Sequence, residues 1–369
     1  MRVLHITSHL DVGGVTSSVL SLSRGLAARG HRVIIASGGG ALEPQDGSGI
    51  ASWRVPLRTS QEFSLQVHCA ARRLASRLEA EPVDVVHGHT RVGQVVAASL
   101  SRRVGAPYVT TWHGFFRPNL GRRLWPCTGA RTIAISEPVR DHLVRDFHVK
   151  PEQIRMIPHG IDLAPFITPP AEADLTQLRD QLALPPEAVV IGTVARLVPS
   201  KGVDQLIRSL PHIRRAVPEA HLVIVGDGEA RVKLMRLAEA QGVGQAVRFT
   251  GALSSTRTAL ALMRVFVFLP ADQEGFGLSL LEAMASGRPI VAVRRGGGAT
   301  WVLEETQVGA LVDPEHPSAL AEAVVRYLQH GEAACRDAGK ARAVVTERYA
   351  LSRMVDQVEA LYREVAPAA

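Results

Sequence analysis

VFVFLPADQEGFGLSLLEAMASGRPIVAV, residues 265–293, reads as strand, loop, helix and strand in one short stretch. VFVFLP (265–270) and PIVAVRRGGG (289–298) open on unbroken apolar runs, the pattern of strands covered on both faces in a parallel sheet. Between them LSLLEAMAS stops at Gly287 and Pro289 as a helix does at its end. Two parallel strands joined by a crossover helix form a βαβ unit, and the rest of the chain repeats the alternation. RVLHIT (2–7), HRVIIAS (31–37), VDVVHGH (83–89), YVTTWHG (108–114), TIAIS (132–136) and IRMIPHG (154–160) are the expected strands of a first half. VVIGTVAR (189–196), AHLVIVGDG (220–228), VRFTG (247–251), the two runs above and GALVD (309–313) make a second sheet of the same kind.

The length of 369 residues suits two such domains. The expected division is an N-terminal Rossmann-like domain over 1–165, a linker over 166–187 with prolines at both ends, and a C-terminal Rossmann-like domain over 188–351. The last helix, 352–369, has an apolar stripe at 354, 355, 358, 361, 362 and 365 that must bury one face, and packing back on the first domain would bury it. In open parallel sheets ligands bind beyond the carboxyl ends of the strands. Two such sheets facing each other would bring both sets of strand ends into one cleft.

Composition narrows the class. With 46% hydrophobic and 21% charged residues the chain is globular. Cys69, Cys127 and Cys335 are odd in number and lack metal-ligand spacing, so a disulfide framework and a zinc site are not indicated and a reducing cytoplasm fits. MRVLHITSHL runs straight into Gly13 and Gly14 as a first strand rather than a signal peptide. No apolar run reaches the roughly 18 residues of a membrane span. The +7 net charge sits in the first half, where residues 1–165 carry 20 basic against 12 acidic side chains.

The candidate chemistry lies at the strand ends. Glu282 stands in an apolar helix, where an unpartnered carboxylate costs several kcal/mol to bury, so it must have a partner. Glu274 precedes that helix in a loop whose Gly275 and Gly277 allow close backbone approach, with free helix-start amides favouring an anion nearby. The pair suits one site; it also suits a capping acid plus a core acid bridged to an arginine. Arg196 and Lys201 flank a Pro-Ser turn after the first strand of the second half, and Lys201 is one of four lysines among 42 basic residues. Such a point charge suits a phosphate, or is a solvated loop charge. DVGG (11–14) opens a helix after the first strand but is not a GxGxxG fingerprint, so it marks a phosphate-approach loop or a bare turn. His113 in TTWHGFF ends another strand; His87 and His89, in HGH, are weaker candidates.

Together these segments resemble the retaining glycosyltransferases of family 4. The resemblance runs nearly the whole chain, through DVVHGH, WHG, IAIS, IPHGID, GTVARLVPSKG, LVIVGDGE, VRFTGAL and EGFGLSLLEAMASGRPIVA in the family's order, the Glu pair with seven residues between being the most specific. The resemblance implies an α/β protein of the GT-B fold, two Rossmann-like doubly wound domains facing across a cleft. It implies a nucleotide-sugar donor, UDP favoured over GDP, and a glycan or lipid-linked acceptor in cell-surface polysaccharide or glycolipid synthesis. Arg196 and Lys201 would then bind the diphosphate, Glu282 the ribose, and Glu274 with the amides of Gly275, Phe276, Gly277 and Leu278 the donor sugar. Gly14 would close over the phosphates, His113 would line the transferred sugar, and the base would lie near Thr250 and Gly251. The nucleotide sugar is a substrate, so no cofactor is expected, and with no Asp-x-Asp motif Arg196 and Lys201 would replace a metal. In GGGATWV, Trp301 stands where the family often has a glutamate, which puts a carboxylate contact there in doubt.

Three rivals stay open. A glycoside hydrolase also uses two carboxylates but has no need of the two cations. A nucleotide-sugar epimerase, or a non-catalytic nucleotide-sugar sensor, would bind the same donor. Arg72, Arg73, Arg77, Arg122 and Arg123 with Trp125 suit an anionic membrane surface, an anionic acceptor or plain solvent; no nucleic-acid motif accompanies them. The expected location is cytoplasmic, with peripheral docking on the inner face of the membrane.

Overall fold

The computed structural model describes all residues except 46, 271–273, 315, 317 and 367–369. It divides into two compact units, Met1–Asp162 with Leu351–Ala369, and Leu163–Ala350.

The first unit holds seven parallel strands: β1 (Arg2–Ile6), β2 (Arg32–Ser37), β3 (Ile50–Arg54), β4 (Val85–Gly88), β5 (Tyr108–Trp112), β6 (Arg131–Ala134) and β7 (Ile154–Met156), in the order β3-β2-β1-β4-β5-β6-β7. Alternate residues face opposite layers. Leu4, Ile6, Ile34 and Val86 pack with Leu74 and Leu78 of the helix Leu65–Ala80 and with Val96 and Leu100 of the helix Arg91–Val104. Val3, Val33, Ile35, Val85 and Val109 pack on the other face, with Leu22 and Leu26 of the helix Gly14–Ala28 and with Met354, Val358, Leu361 and Tyr362 of the helix Leu351–Val365. The C-terminal stripe is therefore buried in the first unit; residues 367–369 of the expected helix lie outside the described residues. Arg29 fastens the two helices, pairing with Asp356 at 2.7 Å and Glu359 at 2.8 Å.

The second unit has six parallel strands: β8 (Val189–Val194), β9 (Ala220–Val225), β10 (Val247–Gly251), β11 (Val265–Phe268), β12 (Ile290–Val293) and β13 (Ala310–Val312), in the order β10-β9-β8-β11-β12-β13. The segment expected as a linker is built into this unit. Its helix Glu172–Gln181 packs on the helix Arg257–Leu262. Arg257 donates to the carbonyls of Thr168 and Pro169 at 3.1 and 2.8 Å, and Arg248 to that of Leu182 at 2.6 Å. Anchored carbonyls, rather than proline content, decide its fate.

In each sheet the strand order reverses beside the first strand, between β1 and β4 and between β8 and β11. The loops leaving such a pair diverge to opposite faces, which opens the crevice where ligands of this architecture bind.

Candidate active site

At the β8/β11 crevice one loop comes from each side. After β8 the chain passes Arg196, which is exposed, and a short turn Pro199–Lys201. After β11 it returns to Glu274 and the Gly-Phe-Gly loop. Lys201 Nζ donates to Glu274 Oε2 across the gap, in an ion pair whose side chains are about one-fifth exposed (21% and 18%). Lys201 and Glu274, both singled out in the sequence, are thus in direct contact.

Glu274 does not cap the helix that follows. Gly277 holds the N-cap position of the helix Leu278–Ala285 with φ 94°, and no side chain caps it. That positive φ favours glycine, and a Cβ there would stand 2.8 Å from the Phe268 ring. The Glu274 carbonyl accepts from Gly298 N at 2.8 Å, so the Gly-rich turn after β12 buttresses the loop. A Cβ at Gly297 (φ 75°) would meet that carbonyl at 2.4 Å. Gly275 is buried and Leu278 partly exposed. Phe276 is 3% exposed and its ring packs edge-on against Tyr349 at 5.6 Å, which leaves the expected ligand contact to its backbone amide.

Glu282, one helical turn further on, has no basic partner among the described residues. It accepts a hydrogen bond from Thr256 Oγ1 at 2.8 Å. Burial raises its pKa to about 7, with the Thr256 bond pulling the other way, so new hydroxyl donors would favour its anion. Thr256 has no sequence signature; it enters only because the loop after β10 folds over this helix. At the β10 end Thr250 Oγ1 donates to the Gly251 carbonyl at 2.7 Å, and that carbonyl accepts from Gly226 N at 2.9 Å. The ends of β9 and β10 are knitted there into a firm edge. Trp301 lies partly buried in the helix Gly297–Thr306.

In the first unit Gly14 is exposed at the start of the helix Gly14–Ala28, whose first-turn amides are the free donors of any helix start. His113 belongs to something the sequence did not suggest. Strand register aligns His5 with His87, and side chains at the strand ends then join in a row. Ser18 Oγ meets His159 Nδ1 at 2.9 Å, His159 Nε2 meets His113 Nδ1 at 3.2 Å, His113 Nε2 meets His89 Nδ1 at 3.1 Å, and His89 Nε2 meets His5 Nδ1 at 2.8 Å. His87 lies alongside, bonded to Tyr362 OH at 2.5 Å and Thr111 Oγ1 at 2.7 Å. Burial lowers His5 to about 3 and His159 to about 4, and lowers His87, His89 and His113 as well, with neighbouring imidazoles adding to the effect on these three. The rings are neutral. A neutral imidazole donates from one nitrogen and accepts at the other, so the four rings of the row must all carry their protons on Nδ1 or all on Nε2. His5, His87 and His89 also bring ring nitrogens within 4.8 Å of one another, a spacing that a metal could use. Those of His87 and His89 are already hydrogen-bonded, and only His5 Nε2 is without a partner.

Residues 12–165 match the family described as Glycosyltransferase Family 4, and residues 174–343 that described as Glycosyl transferases group 1. The chain belongs to glycosyltransferase family 4. A family 4 relative, the D-inositol 3-phosphate glycosyltransferase of Acidothermus cellulolyticus, is 31% identical over 87% of this chain and 79% of its own. Among solved structures, a glycosyltransferase from Rickettsia africae superposes with a TM-score of 0.87 at 19% identity, covering 99% of this chain and 98% of that one. Anabaena HepE in complex with UDP-glucose gives 0.83 at 21% identity, covering 99% and 100%. The likeness to these two is one of fold, the GT-B arrangement of two Rossmann-like parallel sheets. Among the described residues no helix is long and apolar enough to cross a membrane.

Proposed function

We propose that this family 4 glycosyltransferase moves a sugar from a nucleoside-diphosphate sugar, UDP before GDP, to a glycan or lipid-linked acceptor, with retention at the anomeric carbon and without a metal. The observation that carries the reading is the Lys201–Glu274 ion pair at the β8/β11 crevice. A diphosphate entering there competes for Lys201 and releases the Glu274 carboxylate toward the sugar hydroxyls. Arg196, exposed beside it, supplies the second cation. Thr256 and Glu282 accept and orient the ribose, whose hydroxyls hold Glu282 in its charged form. The base rests near Thr250 and Gly251. UDP is favoured because HepE, of the same fold, has been crystallised with UDP-glucose.

In the reaction the bond from the anomeric carbon to the diphosphate breaks while the acceptor oxygen bonds from the same face. Its proton goes to the departing phosphate oxygen. Two fixed cations and the amides of the Gly-Phe-Gly loop stabilise the charge that builds on the diphosphate. Both ring nitrogens of His113 are engaged, with His89 and His159, so a hydrogen bond from His113 to any ligand replaces one of these two.

The acceptor reading draws on the first unit. Phe63, Leu65, Leu120 and Leu124 are 66%, 84%, 74% and 77% exposed. Phe63 stacks on Trp125 at 6.0 Å, which joins the helix Leu65–Ala80 to the segment around Leu120–Leu124. Arg72, Arg73, Arg77 and Arg123 are exposed on these elements, whereas Arg122 is held by Glu62 at 2.7 Å and by the Arg117 carbonyl at 3.0 Å. Apolar side chains rimmed by cations suit the surface of an anionic bilayer on the cytoplasmic side.

Proton NMR of the product formed from UDP-sugars tests the proposal. The anomeric coupling should keep the donor's configuration, and Glu274→Ala should lose turnover. An inverted product, or full turnover in that variant, would overturn it.

A further inference from the structure

A cavity of about 330 Å³ opens on the second unit at the amino ends of β11 and β12. Arg264 immediately precedes β11, and Arg288 with Pro289 precedes β12. The Lys201–Glu274 pair lies beyond the carboxyl end of β11, so the four residues of that strand, about 13 Å of backbone, separate the two places. Arg264, Arg288 and Arg342 all line the cavity, and no carboxylate lines it among the described residues.

The three guanidinium groups are not there to neutralise acids. Arg288 is fixed by carbonyl acceptors, donating from Nε to Ser286 at 3.0 Å and from Nη1 to Met263 at 3.0 Å and Ala261 at 3.3 Å. Its Nη2 has no partner among the described residues. Arg342 uses Nη2 on the Ile167 carbonyl at 2.5 Å. Arg264 is exposed. Burial, and then the charges of Arg264 and Arg342, lower the pKa of Arg288, so these cations sit close enough to repel one another. Like charges in a cleft concentrate anions there.

One wall is the helix Gly331–Arg348, which contributes Gly331, Ala334, Ala338 and Gly339 besides Arg342. A Cβ at Gly331 or Gly339 would meet nothing within 4 Å, so the space is open and is not set by tight packing. The start of this 18-residue helix lies at the cavity; its first turn also carries Glu332, which is exposed and pairs with Arg336 at 3.8 Å rather than lining the cavity.

We propose that this cavity is a second anion site, separate from the donor crevice, that takes a small phosphate-bearing metabolite. The guanidinium fork matches phosphate oxygens in pairs, and the volume falls within the range of small-molecule pockets. Arg288 also follows directly on the helix Leu278–Ala285 that carries Glu282, and its amide donates to the Ala283 carbonyl at 3.0 Å. An anion held by Arg288 therefore rests on the end of the helix that carries a donor-site carboxylate.

The test is isothermal titration of the full chain with inorganic pyrophosphate at fixed ionic strength, in four proteins: wild type, Lys201→Ala, Arg264→Ala/Arg342→Ala, and Arg288→Lys. Arg288→Lys keeps the charge while losing the fork. The site predicts saturable binding that persists in Lys201→Ala and weakens about tenfold or more in the double variant, with a smaller loss in Arg288→Lys. Binding unchanged in the double variant and abolished in Lys201→Ala would place all the pyrophosphate in the donor crevice and overturn the proposal; no saturable binding in wild type would overturn it equally. The result stands apart from the donor reading, because Lys201→Ala reports on the crevice and the arginine variants on the cavity.

Discussion

Lowering the pH from 7.5 to 5.5 should loosen the first unit far more than the second. His5, His87, His89, His113 and His159 all belong to Met1–Asp162 and are held neutral. In the unfolded chain each titrates near 6.5. Between that value and the folded pKa the unfolded state binds more protons, so stability falls as pH falls. The native contribution is complete above pH 6.5 and is lost on the way down toward about 4, where His159 begins to charge in the folded protein. Over two pH units each ring accounts for about 1 kcal/mol, and the five together for at most several kcal/mol. A domain has only about 5–15 kcal/mol in total. The groups that face the row, Ser18, Thr111 and Tyr362, stay uncharged here, since burial holds the Tyr362 pKa well above 10. Glu62, lowered by Arg91 and Arg122 against the opposing effect of burial, titrates below the window. The second unit moves the other way. Glu282, raised to about 7, is protonated in the folded state at pH 5.5 while its unfolded counterpart is not, a gain of about 2 kcal/mol. Urea unfolding followed by tryptophan fluorescence resolves this, because Trp53, Trp112 and Trp125 lie in the first unit and Trp301 in the second. His159→Asn should remove about one-fifth of the acid sensitivity. A first-unit midpoint that is unchanged at pH 5.5, or that falls no further than the second unit's, would show that the buried imidazoles do not set the acid sensitivity.

Two further outcomes follow from the same geometry. Long-range nitrogen-proton NMR of the imidazoles should find His5, His89, His113 and His159 in one common tautomer, and a mixture within the row would break the hydrogen-bond sequence inferred here. Vesicles rich in anionic lipid should sediment the protein at low salt and lose it at high salt, with Leu120→Ser/Leu124→Ser weakening the association even at low salt; equal binding by the variant and the wild type would remove the apolar patch from the account.

Twelve of the thirteen strands are legible as short, largely apolar runs, those of the first unit closed by Gly, Ser or His. β3 is not, since IASWR lies at the sheet edge with most of its side chains at least partly exposed and so carries no continuous apolar signal. Lys201 and Glu274 stand out by residue type at strand ends, and their contact follows from the strand order that sets β8 beside β11. Thr256 has no comparable signal. The histidine row was invisible for another reason: each ring can be seen in the sequence, but their alignment depends on the register of β1, β4 and β5 and on the turn after β7, which spacing does not supply. The ring of Phe276 packs on Tyr349 in the core, a placement that the sequence of its loop does not signal.

The most direct measurement is the equilibrium binding of UDP, GDP and ADP to the wild type and to Lys201→Ala. Wild type should bind UDP most tightly and the variant should lose about tenfold or more, as expected for removal of one charge-assisted phosphate contact. Binding of UDP undiminished by the loss of Lys201, or no binding of any of the three diphosphates, would contradict the assignment of the β8/β11 crevice as the donor site.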